Sequence, residues 1–167
     1  MKIVFLDVDG VLNYRGCGSY YGSVYFVAKE KIQLLAEIIY ATDAKIVLTS
    51  TWRYGAMDLA LGTESFEADL YVALTGALEE YGLEIYDYTG EDKEIRGLEI
   101  ESWIAGAEKK PETFVILDDL DAGQFGQYGN SLVQTDFWTG LEEYHAELAI
   151  QMLNEKSEEP RADIVWE

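Results

Sequence analysis

The chain has 167 residues, 49% of them apolar, which is enough for one domain with a sizeable core and too few for two. Twelve basic against 32 acidic residues give a net charge of −20, which repels polyanions over most of the surface and confines any nucleic-acid contact to a local patch. Cys17 is the only cysteine, excluding an intrachain disulfide, and no apolar run approaches the ~20 residues of a membrane span, so a cytoplasmic location with no signal peptide and no membrane contact is expected.

The first apolar run, Lys2 to Leu6 (KIVFL), is continuous and rich in β-branched residues, the pattern of a strand buried on both faces of a parallel sheet. Tyr14 to Phe26 (YRGCGSYYGSVYF) follows as a glycine-punctuated flap. Ala28, Ile32, Leu35 and Ile39 recur at helical spacing, and Lys45 to Leu48 (KIVL) is a second buried strand. Tyr54 to Asp92 holds one or two helices, the better one around Phe66 to Tyr81, and a short strand at Glu84 to Tyr88. Ile100, Trp103, Ile104 and Ala107 form the next apolar stripe, followed by a strand at Phe114 to Leu117 (FVIL) and a weaker one at Leu132 to Gln134. Thr139 and Glu142, at capping-box spacing, signal a last helix with Leu141, Tyr144, Leu148 and Met152 as its buried face. Beyond Asn154 the chain turns polar, and Ile164, Val165 and Trp166 either fray or dock back. The order β, α, β, α, β predicts an α/β domain over residues 1–155, a Rossmann-like doubly wound parallel sheet with helices on both faces, a flap at 14–26 and a tail at 156–167.

Ligands of such sheets bind beyond the carboxyl ends of the strands. Three apolar runs end in polar residues: Asp7-Val8-Asp9-Gly10-Val11-Leu12-Asn13, Thr49-Ser50, and Asp118-Asp119-Leu120-Asp121. Adjacent strands bring these clusters to one edge. Asp7 and Asp9, two apart, point the same way while the backbone stays extended, and Gly10 permits a sharp exit turn. Like charges that close are costly unless a cation joins them, and Asp118 and Asp119 add hard oxygen ligands suited to Mg²⁺.

These residues resemble the haloacid dehalogenase (HAD) superfamily of phosphohydrolases. Its four motifs match in order: DVDGV from Asp7, Thr49 ending the second strand, a basic residue before a helix at Lys93 or Arg96, and the acidic pair Asp118 and Asp119. The resemblance implies that Asp7 attacks phosphorus to form an aspartyl-phosphate and that Asp9 serves as acid and then base. It implies Mg²⁺ held by the Asp7 carboxylate, the Asp9 carbonyl and Asp119, with Asp118 behind them or bridged by water. Thr49 would donate to a phosphoryl oxygen and Ser50 could add a donor, the alternative being that either caps the next helix. Arg96-Gly97 directly precedes the amphipathic helix, so Arg96 is the preferred motif base and Lys93 its rival. Thr49 to Arg53 (TSTWR), Arg96 to Trp103 (RGLEIESW), Thr135-Asp136 and Gly140-Leu141 are similar to the HAD domain of Swiss Army knife RNA-repair proteins, implying a nucleic-acid phosphate end as substrate. Trp52 and Trp103 could equally be core residues.

Only about 17 residues separate the first motif from its helix, so a large cap domain does not fit and the site is expected to be open. In the flap, Tyr14, Tyr20, Tyr21 and Tyr25 could stack on a base and Arg15 could meet a second phosphate, or the tyrosines could pack on each other in a hairpin. Arg53 could face substrate phosphate or pair with a carboxylate. His145 is expected to serve helix packing, and Cys17 to be an ordinary flap residue. The expected partner is a phosphorylated substrate, a nucleotide or a nucleic-acid end. Two alternatives stand beside it: a small-metabolite phosphatase, and a module that binds a phosphate ligand without turnover.

Overall fold

The apolar runs become the strands of one parallel sheet in the computed structural model, in which residues 1–90 and 94–155 are described. In chain order the elements are β1 (Lys2–Leu6), a small hairpin of β2 (Tyr20–Tyr21) and β3 (Val24–Tyr25), α1 (Lys29–Thr42), β4 (Lys45–Leu48), α2 (Arg53–Ala60), α3 (Phe66–Glu79), β5 (Ile85–Tyr88), α4 (Arg96–Gly106), β6 (Thr113–Asp118), β7 (Leu132–Gln134) and α5 (Glu143–Asn154). The sheet order is β5-β4-β1-β6-β7, with β1 in the middle and every pairing parallel. It is the Rossmann-like α/β architecture expected, with helices on both faces.

Strand alternation sorts the core into two layers. Val4, Leu6, Ile46 and Leu48 pack with residues of α1, α3 and α5, while Ile3, Phe5, Val47 and Ile116 pack with Ile100 of α4. Burying each such side chain contributes about 1.5–3 kcal/mol, so the central strands are the least adjustable part of the molecule. Between β1 and α1 the chain makes only the β2–β3 hairpin, and no cap domain stands there. In the hairpin Tyr20 stacks on Tyr25 with centroids 5.4 Å apart, and Tyr21 packs on Phe26 and Phe66.

The last helix departs from expectation. It begins at Glu143, not near Thr139, and its capping box joins Glu142 and His145: the His145 imidazole Nδ1 accepts from the Glu142 N–H at 2.9 Å. Thr139 lies instead in a turn closed on Asp136, and Leu141 sits in a bend with its N–H donated to the Val11 carbonyl at 2.8 Å, so the chain enters the helix only after it. Its buried face is His145, Ala146, Ala149 and Leu153; of the residues expected there, Leu141 is buried just ahead of the helix and Met152 packs half-buried on the core, while Tyr144 and Leu148 are exposed. The small alanines let α5 lie close against β6 and α1, an advantage that periodicity of large apolar residues does not reveal. The expected docking or fraying of Ile164 to Trp166 lies outside the described residues.

Candidate active site

The register fixes which side chains meet. Phe5 pairs with Val47 on one side and Ile116 on the other, and two residues further along each strand stand Asp7, Thr49 and Asp118. The ladder continues to that level, Thr49 donating its N–H to the Leu6 carbonyl at 2.8 Å and Asp7 to that of Leu117 at 3.0 Å. All three therefore share the face of the sheet that α4 covers. Gly10, at φ 80°, turns the chain away, and a Cβ there would lie 2.3 Å from Asp119 Oδ2, so only glycine lets the two loops approach. The Thr135 hydroxyl holds the turn by donating to the Gly10 carbonyl at 2.6 Å.

Carboxylate oxygens of Asp7, Asp118 and Asp119 all lie within 4.8 Å of one another. Arg96, the first residue of α4, meets them: its Nη1 is 2.8 Å from Asp118 Oδ2 and 3.4 Å from Asp7 Oδ1. A cation at a helix N-terminus opposes the helix dipole, and the two aspartates supply the compensation. Behind Arg96, Glu99 takes its Nε at 3.6 Å and also accepts from Arg53.

Burial pushes the Asp7 carboxyl well above the usual carboxylate range, Asp118 adds to this, and Arg96 pulls the other way. Asp118 is raised by burial against the pull of Arg96. Asp119 is pushed up to about 6 by burial and by Asp118. Burial works against the charge of Arg96, but Asp7, Asp118 and Glu99 together outweigh it and hold the guanidinium more firmly protonated. Four carboxyl groups thus face two guanidinium groups, a formal surplus of two negative charges when all are ionised, among hard oxygen donors. That donor set fits a divalent cation of the Mg²⁺ kind.

The other expected site residues divide. Thr49 is fully buried and its Oγ1 has no hydrogen-bond partner, a condition shared by Thr89 at the end of β5. Ser50 takes neither alternative outright: its Oγ accepts from the Trp52 N–H at 3.2 Å, closing a turn just ahead of α2, whose N-cap Trp52 carries no side-chain cap. Of the two alternatives for Arg53, the carboxylate pair is present: the residue is 1% exposed and bonds to Glu99 and to the carbonyls of Thr49, Ser50 and Gly90. Tyr21 is likewise taken up in aromatic packing. Arg15 lies with its guanidinium 4.4 Å over the ring of Trp138, which is 62% exposed. Lys93 lies outside the described residues. Asp9 is exposed and accepts hydrogen bonds from Asn13 and from the Trp52 indole. Trp103 packs edge-on against Phe5, a core role, and Cys17 donates weakly to backbone carbonyls of the flap.

Glu99, Trp52 and Asn13 touch the candidate site residues Arg96 and Asp9 through contacts that the sequence motifs did not specify. Glu99 was accessible through its i,i+3 spacing from Arg96; Trp52 had no such signal, since its contact with Asp9 spans 43 positions. A cleft of about 180 Å³ opens beside Arg96, lined by Thr51, Tyr54, Glu94, Leu120 and Gln124 among others. The larger cleft of about 530 Å³, by Met1, Trp103 and Lys109, lies near the start of β1 and the end of α4, away from these carboxylates. Among the described residues no helix is long and apolar enough to cross a membrane.

Residues 3–146 match the family described as the HAD domain in Swiss Army Knife RNA repair proteins. No curated protein matches the chain. Since the family match runs from the first strand into the last helix, the chain belongs to the HAD domains of Swiss Army Knife RNA repair proteins.

Proposed function

We propose that this HAD domain is a Mg²⁺-dependent phosphomonoesterase that works through an aspartyl-phosphate on Asp7. The observation that carries the reading is the cluster of buried Asp7 and Asp118, both held by Arg96, with half-buried Asp119, and the unpartnered hydroxyl of Thr49 on the same face of the sheet. An Asp7 oxygen forms a bond to phosphorus while the bond to the leaving oxygen breaks, and that oxygen takes its electron pair and the proton of Asp9. A water then bonds to phosphorus, gives its proton to Asp9 and releases Asp7. Thr49 donates to a phosphoryl oxygen and Arg96 holds Asp7 and Asp118 in place. When bound by Asp7, Asp119 and the Asp9 carbonyl, with Asp118 behind, Mg²⁺ supplies charge neutralisation for the transferring group.

For the substrate we favour the phosphate of a nucleotide or polynucleotide end. The family supports this, as do the exposed aromatics Tyr20 and Trp138 and the stacked Arg15. The net charge of −20 favours the second reading, a small-metabolite phosphatase.

The test is phosphate release with and without Mg²⁺ from an aryl phosphate, mononucleotides, sugar phosphates, and 3′- and 5′-phosphorylated oligonucleotides. Mg²⁺-dependent turnover with preference for oligonucleotide or nucleotide ends is expected, and Asp7→Asn abolishes all of it. Preference for sugar phosphates moves the reading to small metabolites, and turnover that survives Asp7→Asn overturns the mechanism.

A further inference from the structure

Trp52 is a large side chain, only 7% exposed, at the start of α2. Its ring stacks on Phe26 of the flap with centroids 6.1 Å apart and planes 24° apart, and packing alone could account for its burial. Its edge does something more. The indole Nε1–H, a group that can only donate, points at Asp9 Oδ2 at 3.1 Å. The other oxygen, Oδ1, accepts from the Asn13 Nδ2 at 2.9 Å. Asn13 is itself fully buried, and its own oxygen accepts from the Gly10 N–H at 3.0 Å, which fixes the amide the right way round for this bond.

Each oxygen of a carboxyl group offers two lone-pair directions. One donor on each oxygen sets the plane of the group and leaves one open direction per oxygen, enough to carry a proton outwards. Without those donors an exposed aspartate samples several χ1 wells and a broad χ2. We infer that Trp52 is a positioning residue, which with Asn13 holds the Asp9 carboxyl group in the orientation that serves proton transfer, and that the flap braces Trp52 through Phe26. This rests on the reading of Asp9 as the acid that protonates the leaving oxygen.

The step that Trp52 assists is the one in which the leaving oxygen receives the bonding pair and the Asp9 proton. A leaving group that is stable as an anion does not need that proton. The value of kcat/KM reports only the steps up to formation of the aspartyl-phosphate, so a leaving-group series isolates the acid. Trp52→Phe removes the N–H and keeps an aromatic ring on Phe26. It is expected to lower kcat/KM on an alkyl phosphate by about 10-fold, a part of the 10²–10⁴ that general acid catalysis supplies, and by less than about 3-fold on a dinitrophenyl phosphate. Asp9→Asn should show the same split more strongly, and Trp52→Phe should add little to it in the double variant. If Trp52→Phe does not fold, benzothienylalanine at position 52 replaces the N–H by sulfur in a side chain of nearly the same shape. Equal losses on both substrates, no loss on either, or full additivity with Asp9→Asn would overturn the inference while leaving Asp9 as the acid. An Asp9→Asn variant with no leaving-group dependence would instead remove the acid role of Asp9, and the inference with it.

Discussion

Asp7 sits where an isolated carboxylate would be destabilising: buried, beside two other aspartates, and only partly compensated by Arg96. A carboxyl group whose folded pKa lies above its unfolded value contributes stability that is complete below the unfolded value, near 3.8, and is lost as pH rises through the folded value, about 6 for Asp119. Metal-free protein is therefore expected to melt at a higher temperature at about pH 5.5 than at about pH 7.5, and Asp119→Asn to flatten that slope in a thermal melt. Thr49 stores a smaller cost of the same kind. Its buried hydroxyl has no partner, so Thr49→Val should leave the melting temperature unchanged or raise it, since no hydrogen bond is lost. The same variant should lower kcat/KM by about 10²-fold, the scale of losing one donor to a transferring group. A variant that loses stability and keeps activity would assign Thr49 to the fold instead.

Among the elements, α4 links site and scaffold most tightly. A Cβ at Gly97 would lie 2.8 Å from the Phe125 Cα and 2.9 Å from the Gln124 carbonyl oxygen, both backbone atoms that cannot swing aside. Gly97→Ala should push the start of α4 off this segment and carry Arg96 with it, costing about 1–3 kcal/mol in denaturant unfolding. Activity should fall with it. The strands and the amphipathic stripe of α4 were legible in the sequence, because burial on both faces leaves short continuous apolar runs and burial on one side leaves a helical period. The strand-end polar clusters were legible for the same reason: Asp7, Thr49 and Asp118 each interrupt an apolar run at its carboxyl end. The start of α5 and the alanines of its buried face were not, since they depend on Leu141 being tied to Val11 and on small side chains fitting a close approach. The partners of Arg53 and Trp52 escaped in a similar way. These partners, Glu99 and Asp9, lie 46 and 43 positions away, and only the folded chain brings them together.

For the molecule as a whole, the charge of −20 sets how a substrate approaches. A polyanionic oligonucleotide is repelled at long range, and salt screens that repulsion over a Debye length of about 10 Å at 0.1 M. Raising the salt from about 20 to about 150 mM should therefore lower KM for a phosphorylated oligonucleotide, with a weaker effect on a small aryl phosphate. A KM that rises steeply with salt would mean that a basic patch dominates binding in spite of the net charge. The parallel sheet meanwhile gathers residues from positions 7 to 119 at one edge, and it does so around β1, the central strand of the five. The most direct test of the account is to stop the reaction with acid during its first turnover and locate the phosphate by peptide mass. Phosphate on the peptide segment carrying Asp7, disappearing as product forms, is the predicted result. Phosphate on a different side chain, or product formed with none ever attached to the protein, would contradict it.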